Sequence, residues 1–308
     1  MEHIVLKKKK KVYAKLDKLP EGRASAHVEP GCLVLEGGAF RGLYSQGAMD
    51  AFMKHGLNLQ TTIGVSAGAL GGISYVSGQI GRSARANLGY RHDSDYIGSG
   101  AIRKSHSMIR LDFLLEDFEE IEPMDRERFE DPGRRFVAVV TNCETGETEY
   151  MEKGQCPDIM QAIKASASMP YVTPMVEIGE HHYLDGGCSC KIPYQWALDQ
   201  GFEKILIIRT REPEFRKKVK KSKSAARFYR KYPEFAAVLD ASAEAYNRQC
   251  DEIEQLQAEG RVFVLAPSEP VHISRVEGDM NKLGHLYWLG YRDAIAAMPA
   301  LKEYFSNH

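Results

Sequence analysis

Thr61-Thr62-Ile63-Gly64-Val65-Ser66-Ala67-Gly68 reads as a strand running into a tight turn, with a helix of small residues from Ala67 to Val76 beyond it. Thr, Ile and Val suit a buried, pleated strand. The G-x-S-x-G spacing fits a nucleophile elbow. There a serine sits in strained backbone between strand and helix, and side chains two positions to either side would collide. Such a turn lifts the hydroxyl clear of the sheet and aims the next helix's N-terminus at developing negative charge. Upstream, Cys32-Leu33-Val34-Leu35 is a short apolar run of the buried parallel type, closed by Gly37-Gly38. Leu43, Ala48, Met49, Phe52 and Met53 follow at helical spacing, with Gly56 where a helix C-cap stands. These segments form a βαβ unit with tight turns.

In a parallel sheet the turns after neighbouring strands share one edge. That places Gly37, Gly38, Ala39, Phe40, Arg41 and Gly42 beside Ser66, where backbone N–H groups can hold an oxyanion. One such donor is typically worth about 3 kcal/mol in the transition state. A phosphate-binding turn is the competing reading, but neither G-x-G-x-x-G nor G-K-[ST] is present. Further on, Asp185-Gly186-Gly187 follows the strand-like His182-Tyr183-Leu184. Alone it reads as a turn aspartate.

Outward from this centre, residues 135–140, 204–208 and 261–265 read as further buried strands and Glu144–Glu147 as a hairpin turn. Pro157–Ser166, with Pro157 in the first turn, and Pro193–Gln200 read as helices. Strands alternating with helices predict an α/β fold with a mostly parallel sheet and helices on both faces. Residues 80–133 are polar and weakly periodic and read as helices and loops over the site. Residues 1–30 read as a basic N-terminal arm, and 31–308 as a single domain with its motifs in 31–210 and a helical and strand part in 211–308.

The 308 residues are 43% hydrophobic and 27% charged, which allows a sizeable core, and a net charge of −1 gives no bulk attraction to nucleic acid. Six scattered cysteines lack zinc spacing and read as reduced thiols of a cytoplasmic protein. No apolar segment follows the Lys7–Lys11 run, and no apolar run nears the roughly 18 residues of a spanning helix, so any membrane contact is expected from the surface. The basic stretch Arg216–Lys223 with Arg227–Lys231 reads as solvated surface or as a peripheral contact with anionic membrane, and Lys7–Lys11 can join it. Leu286, Tyr287, Trp288 and Tyr291 read as the packing face of a helix.

In order, the glycine loop ending in Arg41-Gly42, the Gly64–Gly68 elbow and the Asp185-Gly186-Gly187 turn resemble the three motifs of the patatin-like phospholipase family. Ala165-Ser166-Ala167-Ser168-Met169-Pro170 and Ile192-Pro193 look like that family's segments flanking the aspartate. The resemblance implies a three-layer αβα sandwich, a dyad of Ser66 as nucleophile and Asp185 as its only side-chain base, and hydrolysis of lipid acyl esters without metal or cofactor. The segment Cys188-Ser189-Cys190-Lys191 departs from the family's pattern after the aspartate. An α/β-hydrolase triad would instead recruit His272 or His285, but only one clear strand precedes the elbow strand, which favours the dyad. His181 and His182 read as strand-end residues. A regulatory or interaction protein on the same scaffold and an acyltransferase stay open beside the hydrolase. The lipid, the acyl position and the oligomeric state are not set by these residues.

Overall fold

The computed structural model describes residues 11–219 and 224–306. Ten strands are formed, β1 (Gly22–Arg23), β2 (Glu29–Leu35), β3 (Leu59–Val65), β4 (Gln79–Ile80), β5 (Arg135–Asn142), β6 (Thr148–Glu152), β7 (Val176–Ile178), β8 (His181–Asp185), β9 (Ile205–Ile208) and β10 (Phe263–Leu265). Among the described residues these ten are all the strands, and β1 pairs only with β4. The other eight build one sheet in the order β10-β9-β2-β3-β5-β8-β7, with β6 alongside β5. The run from β10 to β5 is parallel, and β6, β7 and β8 are joined antiparallel. The expected mostly parallel sheet with helices on both faces is present.

The central strands β2, β3, β5 and β9 bury nearly all of both faces. Leu33 and Leu35 pack with helix α1 (Gly42–Lys54) and the Met280–Ser306 helix, whereas Cys32 and Val34 pack against the Pro233–Ala258 helix and the Tyr194–Asp199 helix. Phe136, Ala138 and Val140 point to helix α2 (Ala67–Val76) and the Ile159–Ser166 helix, and Val137 and Val139 point the other way. A period of two with both faces covered explains the continuous apolar runs of the sequence.

Helix α1 and the Met280–Ser306 helix touch backbone to backbone. A Cβ on Gly47 would lie 2.0 Å from the Tyr287 carbonyl oxygen, and one on Gly290 would lie 2.0 Å from that of Tyr44. The Tyr287 hydroxyl donates to Asp50 Oδ2 at 2.8 Å and the Tyr44 hydroxyl to Asp293 Oδ2 at 3.0 Å. The packing face expected around Leu286 and Tyr287 is therefore that of a helix locked onto α1.

Three expectations need correction. The lead-in is packed from Tyr13 onward: Tyr13 is buried, its N–H donates to the Leu88 carbonyl at 3.0 Å, and Glu29 and Pro30 already belong to β2. Lys7–Lys10 lie outside the described residues. The helix expected to start at Pro157 starts at Ile159, because the Asp158 side chain accepts from the N–H groups of Met160 and Gln161 and caps it. Within the basic stretch, Arg216 is held by Asp251 and Glu254, and Lys217 turns inward, its Nζ 4.3 Å from the centre of the buried Tyr246 ring. Residues 220–223 lie outside the described residues.

Replacing Gly290 by Ala should destabilise the protein by about 1–3 kcal/mol, because overpacking against rigid backbone outweighs the roughly 1 kcal/mol gain in helix propensity. Urea unfolding would read this as a lower midpoint, and an unchanged or higher midpoint would contradict the close helix contact.

Candidate active site

β5 organises the site. Its Val139 pairs with Val65, the last residue of β3, and its next residue, Val140, pairs with Asp185, the last residue of β8. Since β6 occupies the other edge of β5 across residues 137–141, β3 and β8 lie on the same edge. They run toward each other and end head to head. Ser66 and Asp185 are thereby delivered to one point from positions 119 residues apart (185 − 66).

Ser66 has φ 56° and ψ −121° and caps α2. This left-handed backbone costs a non-glycine residue on the order of 1–3 kcal/mol, which the burial of one or two aliphatic side chains offsets. The elbow is closely packed. A Cβ on Gly64 would meet the Ala69 nitrogen at 2.6 Å, and one on Gly68 would meet the Leu35 carbonyl oxygen at 2.7 Å. The Ser66 N–H donates to Ser166 Oγ at 3.0 Å. Ser166 thus fixes the turn, a role that its Ala-rich sequence surroundings did not signal.

Asp185 is buried, as is Ser66. Its N–H donates to the Ser168 carbonyl at 2.8 Å, its carbonyl accepts from Thr141 Oγ1 at 3.0 Å, and its Oδ1 accepts from the Gly187 N–H at 2.7 Å. Burial pushes its carboxyl above the ordinary carboxylate range, opposed by hydrogen bonding with the Ser66 hydroxyl and the Gly187 N–H and by the Lys191 charge. Cys188 lines the same cavity, but burial and the Asp185 charge hold its thiol protonated.

The glycine loop curls into a 3₁₀ turn at Ala39–Arg41 beside the elbow, and its Ala39 lines both cavities at Ser66. Three of its N–H groups are used internally. Gly37 donates to the Lys191 carbonyl, Arg41 to that of Gly38, and Gly42 to those of Ala39 and Phe40. Among the described residues the N–H groups of Gly38 and Ala39 have no such partner. The loop is pinned from the segment just past β9, where the Thr210 N–H donates to Glu36 Oε2 at 2.6 Å and Thr210 Oγ1 to the Gly37 carbonyl at 3.3 Å.

Two cavities meet at Ser66. One is walled mainly by Phe40, Leu43, Leu70, Ile109, Leu111 and Met169, so part of the 80–133 region does cover the site. The other holds Asp185 together with Arg41, Lys191, Lys217 and Arg275. No histidine lines either cavity. His272 and His285 are exposed, His285 facing Glu269 at 3.1 Å, and His182 is bound to Glu144 at the far end of β8. Among the described residues no cluster of side chains suits a metal ion, and no helix is long and apolar enough to cross a membrane.

The model of the family described as patatin-like phospholipase matches residues 33–198, more than half of the chain. The chain belongs to the patatin-like phospholipase family. Within this patatin-like chain a second model, a domain of unknown function (DUF6363), matches residues 232–306, the segment of the two long helices. The uncharacterized protein YjjU of Escherichia coli (strain K12) is 28% identical over 192 residues, covering 59% of this chain and 53% of YjjU. The probable lipid hydrolase 463L of Invertebrate iridescent virus 6 is 26% identical over 184 residues, covering 54% of this chain and 62% of that protein. The chain thus matches between half and two thirds of the length of these curated relatives. The crystal structure of VipD from Legionella pneumophila aligns with a TM-score of 0.48 and 14% identity, covering 96% of this chain and 72% of that one.

If the elbow stores strain at Ser66, Ser66→Gly should be more stable than Ser66→Ala by about 1 kcal/mol, because glycine adopts positive φ freely and this gain exceeds its extra unfolded-state entropy. Parallel urea titrations of the two variants measure the difference, and equal midpoints would argue against a strained serine.

Proposed function

We propose that this protein is a serine lipid-acyl hydrolase, a phospholipase A, lysophospholipase or esterase, working through a dyad of Ser66 and Asp185. The observation that carries this reading is the meeting of a strained, buried serine with a buried carboxylate whose basicity burial has raised. An apolar cavity opens from the same serine. Lipid hydrolysis also agrees with the family's description and with the name of the viral relative.

In this mechanism Asp185 takes the hydroxyl proton as Ser66 Oγ bonds to the ester carbonyl carbon. The N–H groups of Gly38 and Ala39 and the N-terminus of α2 receive the oxyanion. The C–O bond to the alcohol breaks and the alcohol leaves with the proton from Asp185. Water then attacks the acyl-serine with Asp185 again as base, releasing the carboxylic acid and restoring Ser66. No cofactor or metal enters these steps. A carboxylate is a weaker base than imidazole, so the oxyanion donors carry more of the stabilisation.

The same reading places the protein in the cytoplasm, its six cysteines unpaired. It also assigns a peripheral membrane contact to the surface next to Met169. There Tyr171 and Phe228 stand exposed with ring centres 5.0 Å apart, near Arg230 and Lys231.

Turnover of short acyl esters should fall by at least about 10³-fold in Ser66→Ala and Asp185→Asn. Folded His272→Ala and His285→Ala should retain most of it. Equal rates in wild type, Ser66→Ala and Asp185→Asn would end the dyad proposal, and a dead His272→Ala or His285→Ala would reassign the base. Release of free acid in plain buffer, without an added alcohol or thiol acceptor, separates hydrolysis from acyl transfer. A fluorophosphonate probe should label wild type at Ser66, and a clean enzyme left unlabelled would favour a regulatory role on this scaffold.

The base form of Asp185 is the ionised one, so activity should fall as pH drops through its ionisation. Because burial raises that ionisation, the acid limb should sit above the roughly 3.9 of a model aspartate. A kcat/KM profile locates the limb, and one at or below the model value would contradict the buried base.

A further inference from the structure

The two cavities at Ser66 are chemically unlike. Beside the mainly apolar one, the second carries four cationic side chains, Arg41, Lys191, Lys217 and Arg275, the last shared with the apolar cavity, against Asp185 as its lining carboxylate. Among the described residues none of the four forms an ion pair within 4 Å with a carboxylate. The two lysines rest on neutral groups. Lys191 Nζ donates to the Gly187 carbonyl and Lys217 Nζ sits over the Tyr246 ring. Arg41 Nε is buried with no partner among the described residues. Glu36, behind the glycine loop, is the other carboxylate acting on this group, and its Oε2 is already bonded to the Thr210 N–H. A low-dielectric cleft of one charge sign concentrates oppositely charged ligands.

The catalytic scheme above uses the serine, the aspartate and backbone N–H groups. It needs none of Lys191, Lys217 or Arg275. These three arrive from separate segments, after β8, β9 and β10, and converge on one cavity. Gathering like charges is unfavourable without an anion to bind. Burial and then Lys191 push the Lys217 ammonium down to about 6, with Arg275 and Arg41 adding to the shift and Glu36 opposing it. A nearby dianion reverses that balance and restores the proton.

We propose that Ser66 acts on acyl esters whose alcohol part carries a phosphomonoester, with the acyl chain in the apolar cavity and the phosphate held by Lys191, Lys217 and Arg275. The inference rests on the hydrolase reading for the ester bond and on the cation wall for the phosphate. Hydrolysis of such a substrate releases a carboxylic acid and a phosphorylated alcohol, with water supplying the oxygen and the protons. Neutral acylglycerols fit the apolar arm but leave the wall unused. They are the poorer substrates.

Equilibrium binding tests this without relying on turnover. Octyl phosphate and neutral octyl glycerol ether carry the same chain and no ester. Calorimetry on wild type at low salt should show octyl phosphate binding at least about tenfold more tightly than the ether, the scale of one charge-assisted hydrogen bond. Lys217→Met and Arg275→Gln should each narrow that gap, and the double variant should close it, with Ser66→Ala keeping it. Proton uptake, detected by repeating the titration in buffers of different ionisation enthalpy, should accompany octyl phosphate binding and vanish in Lys217→Met. Equal binding of the two ligands to wild type, or a preference that survives in the folded double variant, overturns the proposal. Inorganic phosphate binding as tightly as octyl phosphate would also overturn it, marking a free-anion site unconnected to the acyl arm. If the phosphate preference is found while Ser66→Ala hydrolyses esters like wild type, the hydrolase reading falls and the anion wall stands.

Discussion

The site depends on one feature of strand pairing. β5 outlasts β3 by a few residues, and the exposed remainder of its edge is taken by β8 running in the opposite direction. Two strands that end on consecutive residues of a third strand must place their ends next to each other. The hydrogen-bonded ladder therefore fixes the separation of Ser66 and Asp185 more rigidly than side-chain packing could. The antiparallel turn of the chain at β7 and β8 is what makes a parallel-sheet edge into a two-residue centre.

Everything around this junction adds restraint. Ser166, the last residue of the Ile159–Ser166 helix, and Ser168, two residues on, hold the backbone N–H groups of Ser66 and Asp185 respectively. Thr210, just past the strand on the other side of β2, pins the glycine loop. Strain at a buried serine persists because these neighbours leave its backbone no alternative. The Met280–Ser306 helix acts at longer range by clamping α1, whose N-terminus carries the glycine loop.

Charge around the centre is divided by direction. On one side of Ser66 the lining is mainly aliphatic and aromatic, and on the other side cations gather about a single lining carboxylate. A carboxylate desolvated enough to act as a base beside a serine would lose that basicity if too many cations touched it. Here burial remains the larger influence on Asp185, with Lys191 and Arg275 acting in the opposite sense. The balance lets a positive wall and a basic aspartate share one cavity.

The sequence by itself determined the local elements and their chemistry. Short continuous runs of apolar and β-branched residues marked the strands. The G-x-S-x-G turn marked the elbow because only glycine tolerates the contacts at positions 64 and 68. The glycine loop was legible as a neighbour of Ser66 because turns after adjacent parallel strands share an edge. Close pairing of Asp185 with Ser66 was not readable from spacing, since it follows from β8 entering antiparallel on β5, and strand direction leaves no mark in an apolar run. Which loop N–H groups remain available also depended on tertiary contacts, as Lys191 and Gly38 carbonyls take up two of them. Lys217 looked like part of a surface charge run, and its inward turn over Tyr246 was decided by a helix about 30 residues later in the chain. Motifs fix what a residue can do through local geometry, whereas the company that residue keeps is set by contacts between distant segments, which only the folded chain brings together.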